Sequence, residues 1–336
     1  MGERHVRIEI ADFVMRTFVF EHVTKGDKSM SEQEQNRNLW ENRYHLGVDL
    51  IDDRHDKLFS IARRIVSIQD SGSGDTQFRR TFVGKEGIKF LKNYALQHFA
   101  EEEAYMKEIN YPHLAAHRQE HDKFRDVVVP SLEQDLIASD YSQESVEALV
   151  AAVLAWLVNH IAQTDFAIVG RAKPFHYDAE SGRIEETVAN VTMQMFAGLF
   201  DLQVRVLDSH YGGEDFGDVI CYTRSYESVE THQKIRFVSV ISKEMSAYLS
   251  SMLLDQTALE PSSLAASLME EFSFMLMQHL DAILIPTAHT CKYADGVFFD
   301  REQFAQNMQA KMPEFSILFE TNAGKFAICL DRTPLL

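Results

Sequence analysis

Between residues 91 and 124 the chain reads LKNYALQHFAEEEAYMKEINYPHLAAHRQEHDKF, and four side chains in it have the types and spacing of metal ligands. His98 and Glu102 stand four residues apart, as do His117 and His121, so each pair projects from one face of a helix. A turn at Tyr111 and Pro112 folds the second helix back on the first. Imidazoles and carboxylates on facing helices are how metal centres are built inside α-helical bundles. His113 shares the face of His117 and His121, so spacing alone leaves three histidines as candidates on the second helix.

The surrounding pattern supplies the helices. From Leu39 to about Gly170 apolar residues recur at helical spacing, with breaks at SGSGD (71–75), the Tyr111, Pro112 turn and SDYSQES (139–145). Four long helices are expected. The first covers about 52–70 and puts His55 on the face of Leu58, Ala62 and Ile65. The second begins after Thr81, with Gly84 and Gly87 as weak points, and aligns Leu91, Tyr94, His98 and Glu102. The third begins at Pro112 as a first helical position, and Pro130 bends or ends it. The fourth follows the cap candidates Asp140 and Ser142 and aligns Leu149, Val153, Trp156 and His160.

A lone histidine on an apolar stripe is ordinarily a satisfied core residue, so His55 or His160 alone says little. The conjunction says more. Burying several imidazoles and the Glu102 carboxylate in one core without a cation costs about 2–7 kcal/mol per unpaired group, and a metal removes that cost.

Trp40, Tyr44 and the run HLGVDLIDDR before His55, then His98, Phe99, Glu102, Glu103 and Met106, then His117 and His121, then Trp156, Leu157, His160, Ile161 and Asp165, resemble the bacterial hemerythrin family over about residues 38–172. All seven ligand positions of that family are filled here, by His55, His98, Glu102, His117, His121, His160 and Asp165. The resemblance selects His117 and His121 and leaves His113 near solvent. Asp165 rests on the resemblance alone, since five residues place it about 140° from His160 on a regular helix. The resemblance implies two non-heme irons bridged by Glu102 and Asp165. His117, His121 and His160 complete one, and His55 and His98 leave the other with a position open to dioxygen. It also places Trp156 and Leu157 around the oxygen pocket; ordinary core packing is the plainer reading of both. Five imidazoles favour reversible oxygen binding, whereas carboxylate-richer di-iron sites favour O–O cleavage. Zinc suits the same ligand types.

Composition narrows the partners. The 336 residues carry a formal net charge of -18, which argues against nucleic acid or an anionic membrane surface. No run approaches a membrane span, and the N-terminal residues lack the pattern of a signal peptide, so a cytoplasmic location is expected. Cys221, Cys291 and Cys329 are scattered and read as reduced, buried thiols. Residues 1–38 form an extension of unassigned role: an apolar part readable as strand or helix, then a polar run of linker composition.

Beyond Gly170 the character changes. Residues 173–183 read as a linker, and 184–336 as an α/β domain: a helix over 184–200, a strand in LQVRVLDS, a strand over 234–242, helices in KEMSAYLSSMLLD and SSLAASLMEEFSFMLMQHLDAI, a strand in ILIPT, and a hairpin of SILFET and KFAICL around Asn322, Ala323 and Gly324. This order is similar to the CheC/CheX phosphatases of bacterial chemotaxis. Active members carry an acidic residue and, three positions later on the long helix, an asparagine that orients the attacking water. Here Glu270 is followed by Ser273 and Glu271 by Phe274. The resemblance therefore implies a domain that binds a signalling partner such as a receiver domain, or pairs as a homodimer, rather than a phosphatase. The plainer reading of Glu270 and Glu271 is a solvated helix edge.

The chain thus reads as an all-α up-down four-helix bundle followed by an α/β domain. The expected function is an oxygen or redox sensor whose C-terminal domain passes the state of the di-iron centre to a partner. A phosphatase or peroxide-reducing enzyme, and oxygen or iron storage, are the alternatives.

Overall fold

A computed structural model describes residues 42–70, 76–172, 184–229, 234–254, 263–284, 291–310 and 313–333. The extension expected over 1–38, the SGSGD break and the 173–183 linker lie outside these residues.

The four expected helices are present. Helix α1 is Asp49–Asp70. Its Asp52 carboxylate accepts from the backbone N–H groups of Leu46 at 2.6 Å and Gly47 at 2.9 Å, which fixes the chain's entry to the helix. Helix α2 begins at Thr76, earlier than expected, and runs Thr76–Phe90, Leu91–Ala95 and Leu96–Glu108. Gly84 and Gly87 do not break it, because packing against neighbouring side chains overrides their weak helical preference. Helix α3 is Leu114–Lys123, Phe124–Val128 and Val129–Ala138. Pro112 lies in the turn before it, not at its first position, and His113 is its N-cap. Helix α4 is Gln143–His160, Ile161–Asp165 and Phe166–Ile168, and Ser142 caps it by accepting from the N–H of Ser145 at 3.2 Å.

The middle segment of α2, α3 and α4 is in each case a π-helical turn. Such widened turns absorb an extra residue and gather at functional sites. The one in α3 ends two residues before Pro130, so the proline does not end the helix: it sits in the first turn of the segment that follows.

The second half is a six-stranded sheet in the order β1-β5-β6-β3-β2-β4, every neighbouring pair antiparallel. The strands are β1 Val204–Asp208, β2 Val219–Ser228, β3 Lys234–Ser242, β4 Cys291–Phe299, β5 Phe315–Thr321 and β6 Gly324–Thr333. Helices α5 Ile184–Phe200, α6 Lys243–Leu254 and α7 Ser263–Leu284 cover one face, and α8 Arg301–Ala310 covers part of the other. The expected strand in ILIPT does not form over its first two residues. Ile283 and Leu284 complete α7, and the remainder lies outside the described residues. The strand that follows is β4, which has Gly296 in its interior. Gly296 lies directly against the hydroxyl of Tyr222 on β2, where any side chain would collide.

Helix α4 positions everything else. It is apolar nearly all round, the signature of a helix buried on every side. The stretch Gln143–Ile168 is long and apolar enough to cross a membrane, yet 72% of its apolar window is buried in the protein. One side completes the bundle, and the other packs on α7. A single buried apolar cluster consequently runs from Ile51 and Phe59 through Leu154 and Val158 to Leu268, Leu276 and Phe326. Helix α6 also packs on α1, and Arg43 bonds Asp201 at 2.6 Å.

Candidate metal centre

Seven side chains from four helices converge in the bundle core. His55 comes from α1, His98 and Glu102 from α2, His117 and His121 from α3, and His160 and Asp165 from α4, all buried. Glu102, His117, His121 and His160 form one group with mutually close ligand atoms, and His55, His98 and Glu102 form another. Glu102 belongs to both. Asp165 also stands between them: one oxygen lies 3.3 Å from Nε2 of His55, the other 3.3 Å from Nε2 of His117 and 3.1 Å from Nε2 of His160.

The π turn explains how Asp165 arrives there. On a regular α-helix, residues five apart face away from each other. Ile161–Asp165 is a π turn, whose i→i+5 bonding returns Asp165 to the face of His160.

These atoms are spaced as ligands of shared cations. Nε2 of His121 lies 3.1 Å from Nε2 of His117, 3.1 Å from Nε2 of His160 and 3.1 Å from Oε2 of Glu102. Ligand atoms about 2.1 Å from one ion and at right angles across it are about 3 Å apart. Both oxygens of Glu102 and Asp165, and both ring nitrogens of His55 and His98, are buried without a hydrogen-bond partner among the described residues. Orphaned polar atoms on this scale are costly in a dry core, and divalent cations satisfy them. The residues fit a metal pair.

Burial and the two carboxylates push the imidazoles in opposite directions. Burial holds His98 down to about 3, against the pull of Glu102, so its ring is neutral, the form that binds metal. Burial likewise lowers His160, with the Asp165 charge opposing. Burial also pulls His117 down, but its contacts with Asp165 and Glu102 prevail and raise it to about 9. Burial and the neighbouring Asp165 push the Glu102 carboxyl up, yet the surrounding histidines prevail and bring it to about 2.

Aromatic rings close the site on one side. Trp156 stacks on His160 at 4.4 Å and on Phe124 at 3.9 Å, and Phe99 stacks on His121 at 3.9 Å. Leu157 is buried in the core of α4. Sequence reasoning passed over the roles of Phe99 and Phe124; their signal was adjacency, Phe99 following His98 and Phe124 lying three residues after His121. His113 is exposed at the head of α3.

Glu270 and Glu271 lie on α7, far along the chain from these ligands, and are not a solvated edge. The Tyr222 hydroxyl donates to Oε1 of Glu270 at 2.8 Å, while burial, with the Glu270 charge, pushes the Glu271 carboxyl up to about 7. Ser273 is buried, its hydroxyl 2.5 Å from that of Ser239. Phe274 lies under the guanidinium of Arg224 at 4.2 Å. Cys221 and Cys329 are free and buried, which pushes both thiols up to about 12.

Comparison with known proteins gives likenesses of two kinds. The chemotaxis protein CheX from Vibrio vulnificus overlays with a TM-score of 0.34 at 9% identity, covering 46% of this chain and all of that one. The family described as the hemerythrin HHE cation binding domain matches residues 46–172. A bacteriohemerythrin from Clostridium acetobutylicum is 31% identical over 128 residues, 38% of this chain and 95% of the relative. One from Stenotrophomonas maltophilia is 30% identical over 135 residues, 40% of this chain and 81% of the relative. With four helices bringing five histidines and two carboxylates to one buried point, and with these relatives spanned over 95% and 81% of their lengths, the chain belongs to the hemerythrin family.

Proposed function

We propose that residues 39–172 form a di-iron, oxygen-binding bundle, and that the protein is an oxygen or redox sensor in which 184–336 carries the state of the centre to a signalling partner. The observation that supports the di-iron reading is the position of Glu102 and Asp165, each between both histidine groups. His117, His121 and His160 would hold one iron and His55 and His98 the other, with the two carboxylates shared. An iron pair so held would supply reversible dioxygen binding. The chain's own part is to keep His98 and His160 neutral, to hold two anionic oxygen pairs in place, and to exclude water with Phe99, Phe124 and Trp156.

The relay reading is supported by α4. The helix that carries His160 and Asp165 is also the surface on which α7 of the second half packs, so a shift of those ligands would reach that interface. Oxygen or iron storage requires no such shared helix.

The test is the visible spectrum of the iron-loaded protein, reduced without air and then exposed to it, with metal measured on the same sample. A charge-transfer band appearing with about two irons per chain, as the two clusters require, supports the reading. No band, or zinc or a single iron, overturns it.

A further inference from the structure

Of the candidate ligand histidines, His55, His98 and His117 have Nδ1 atoms that are buried with no hydrogen-bond partner among the described residues. His121 differs. Its Nδ1 lies 3.2 Å from Oε1 of Glu103, and the other oxygen of that carboxylate accepts from Nε of Arg118 at 2.6 Å. A carboxylate can only accept here, so the His121 proton sits on Nδ1. Nε2 is thereby left as a lone pair, aimed at the 3.1 Å convergence with His117, His160 and Glu102. Stacking on Phe99, at 3.9 Å and 7° between planes, fixes the ring's tilt.

We propose that Glu103 is a positioning residue that sets the redox poise of the three-histidine metal position through His121, with Arg118 moderating its charge. The inference rests on the di-iron reading above. A carboxylate acceptor on the remote nitrogen makes an imidazole a stronger donor to its metal, and a stronger donor favours the higher oxidation state. Arg118 works against this by drawing charge from the same carboxylate. The side chain of Glu103 is 18% exposed and that of Arg118 53%, so the acceptor is largely shielded while its partner reaches solvent. The three-histidine position is thus tuned, and the His55 and His98 position has no matching contact among the described residues.

The test uses the full-length, iron-loaded protein and reads midpoint potential by spectroelectrochemical titration and iron release to a chelator. Glu103→Gln keeps the acceptor's shape without its charge. It is expected to raise the potential and speed iron release roughly 10-fold or more, the range seen when partners of metal-bound histidines are removed. Arg118→Gln leaves the carboxylate's charge undivided and shifts the potential the opposite way, downward. Glu101→Gln is the control for charge acting through space. It removes a carboxylate two residues earlier on the same helix that pairs with Arg54 at 2.7 Å, and should move neither reading. A structural role alone would alter thermal stability without these opposed shifts. Unchanged potentials in Glu103→Gln and Arg118→Gln proteins that each hold two irons, or an equal shift in Glu101→Gln, overturn this inference alone. A wild-type chain that takes up no iron overturns the di-iron reading and this inference with it.

Discussion

Nε2 of His279 donates to Oδ1 of Asn159 at 3.2 Å, joining α7 to the residue that immediately precedes the candidate ligand His160. Burial holds His279 down to about 4, so it remains a neutral donor at ordinary pH. If the two halves communicate, this bond lies on the route. In the wild type, amide exchange in α7 and β3 should differ between the reduced and air-oxidised protein. His279→Phe fills the space without the donor, costs about 1 kcal/mol for one hydrogen bond, and should shrink that difference while leaving iron content unchanged. Equal exchange in both states of the wild type would sink the relay.

Asp165 makes a second prediction. Its two oxygens face different histidine groups, and an amide offers only one oxygen and no charge. Asp165→Asn should therefore lower bound metal from about two ions per chain toward one, because the shared anion is the feature both positions depend on. Metal analysis after dialysis checks it. Undiminished loading would remove Asp165 from the ligand set.

Trp156 makes a third prediction, on packing and on exclusion of water. Sandwiched between Phe124 and His160, it should cost about 3 kcal/mol when truncated to alanine and less when replaced by phenylalanine, as read from the denaturant midpoint. Opening the same wall admits water, so air oxidation of the reduced, iron-loaded protein should accelerate in Trp156→Ala. A variant destabilised but unchanged in oxidation rate would confine the residue to packing.

The candidate ligands on α2 and α3 were legible as a face because four-residue spacing translates directly into one helical side, although spacing left His113 beside His117 and His121 and the resemblance chose between them. Asp165 was not, because a π turn between His160 and Asp165 breaks that rule, and only family resemblance supplied it. Packing also hid the role of α4. Its uniform apolarity reads as core in sequence, and nothing local says that two different layers bury it. In the sheet, β3 and the β5-β6 hairpin announced themselves by apolar runs and the Asn322, Ala323, Gly324 turn. β2 mixes serine, arginine and tyrosine into its length, and β4 is an edge strand with an internal glycine, so neither has the alternation by which strands are found. Likewise, sequence gave no sign that Glu270 and Glu271 are held against the sheet by Tyr222 and burial.

Glu271 supplies the pH dependence. Its carboxyl is raised from 4.5 to about 7 by burial, with the Glu270 charge adding and Arg224 opposing. The folded chain therefore binds this proton more tightly than the unfolded chain. The group's contribution to stability is fully present below pH 4.5 and is lost as pH rises through about 7. Glu271→Gln, which is neutral at every pH, should flatten that part of the profile. Relative to wild type it should gain stability as pH rises across this interval, most clearly on its alkaline side. Denaturant unfolding of both proteins at a series of pH values checks it. Parallel curves would mean that Glu271 is solvated enough to ionise normally, and that the cluster around Tyr222 and Arg224 is more open than its geometry indicates.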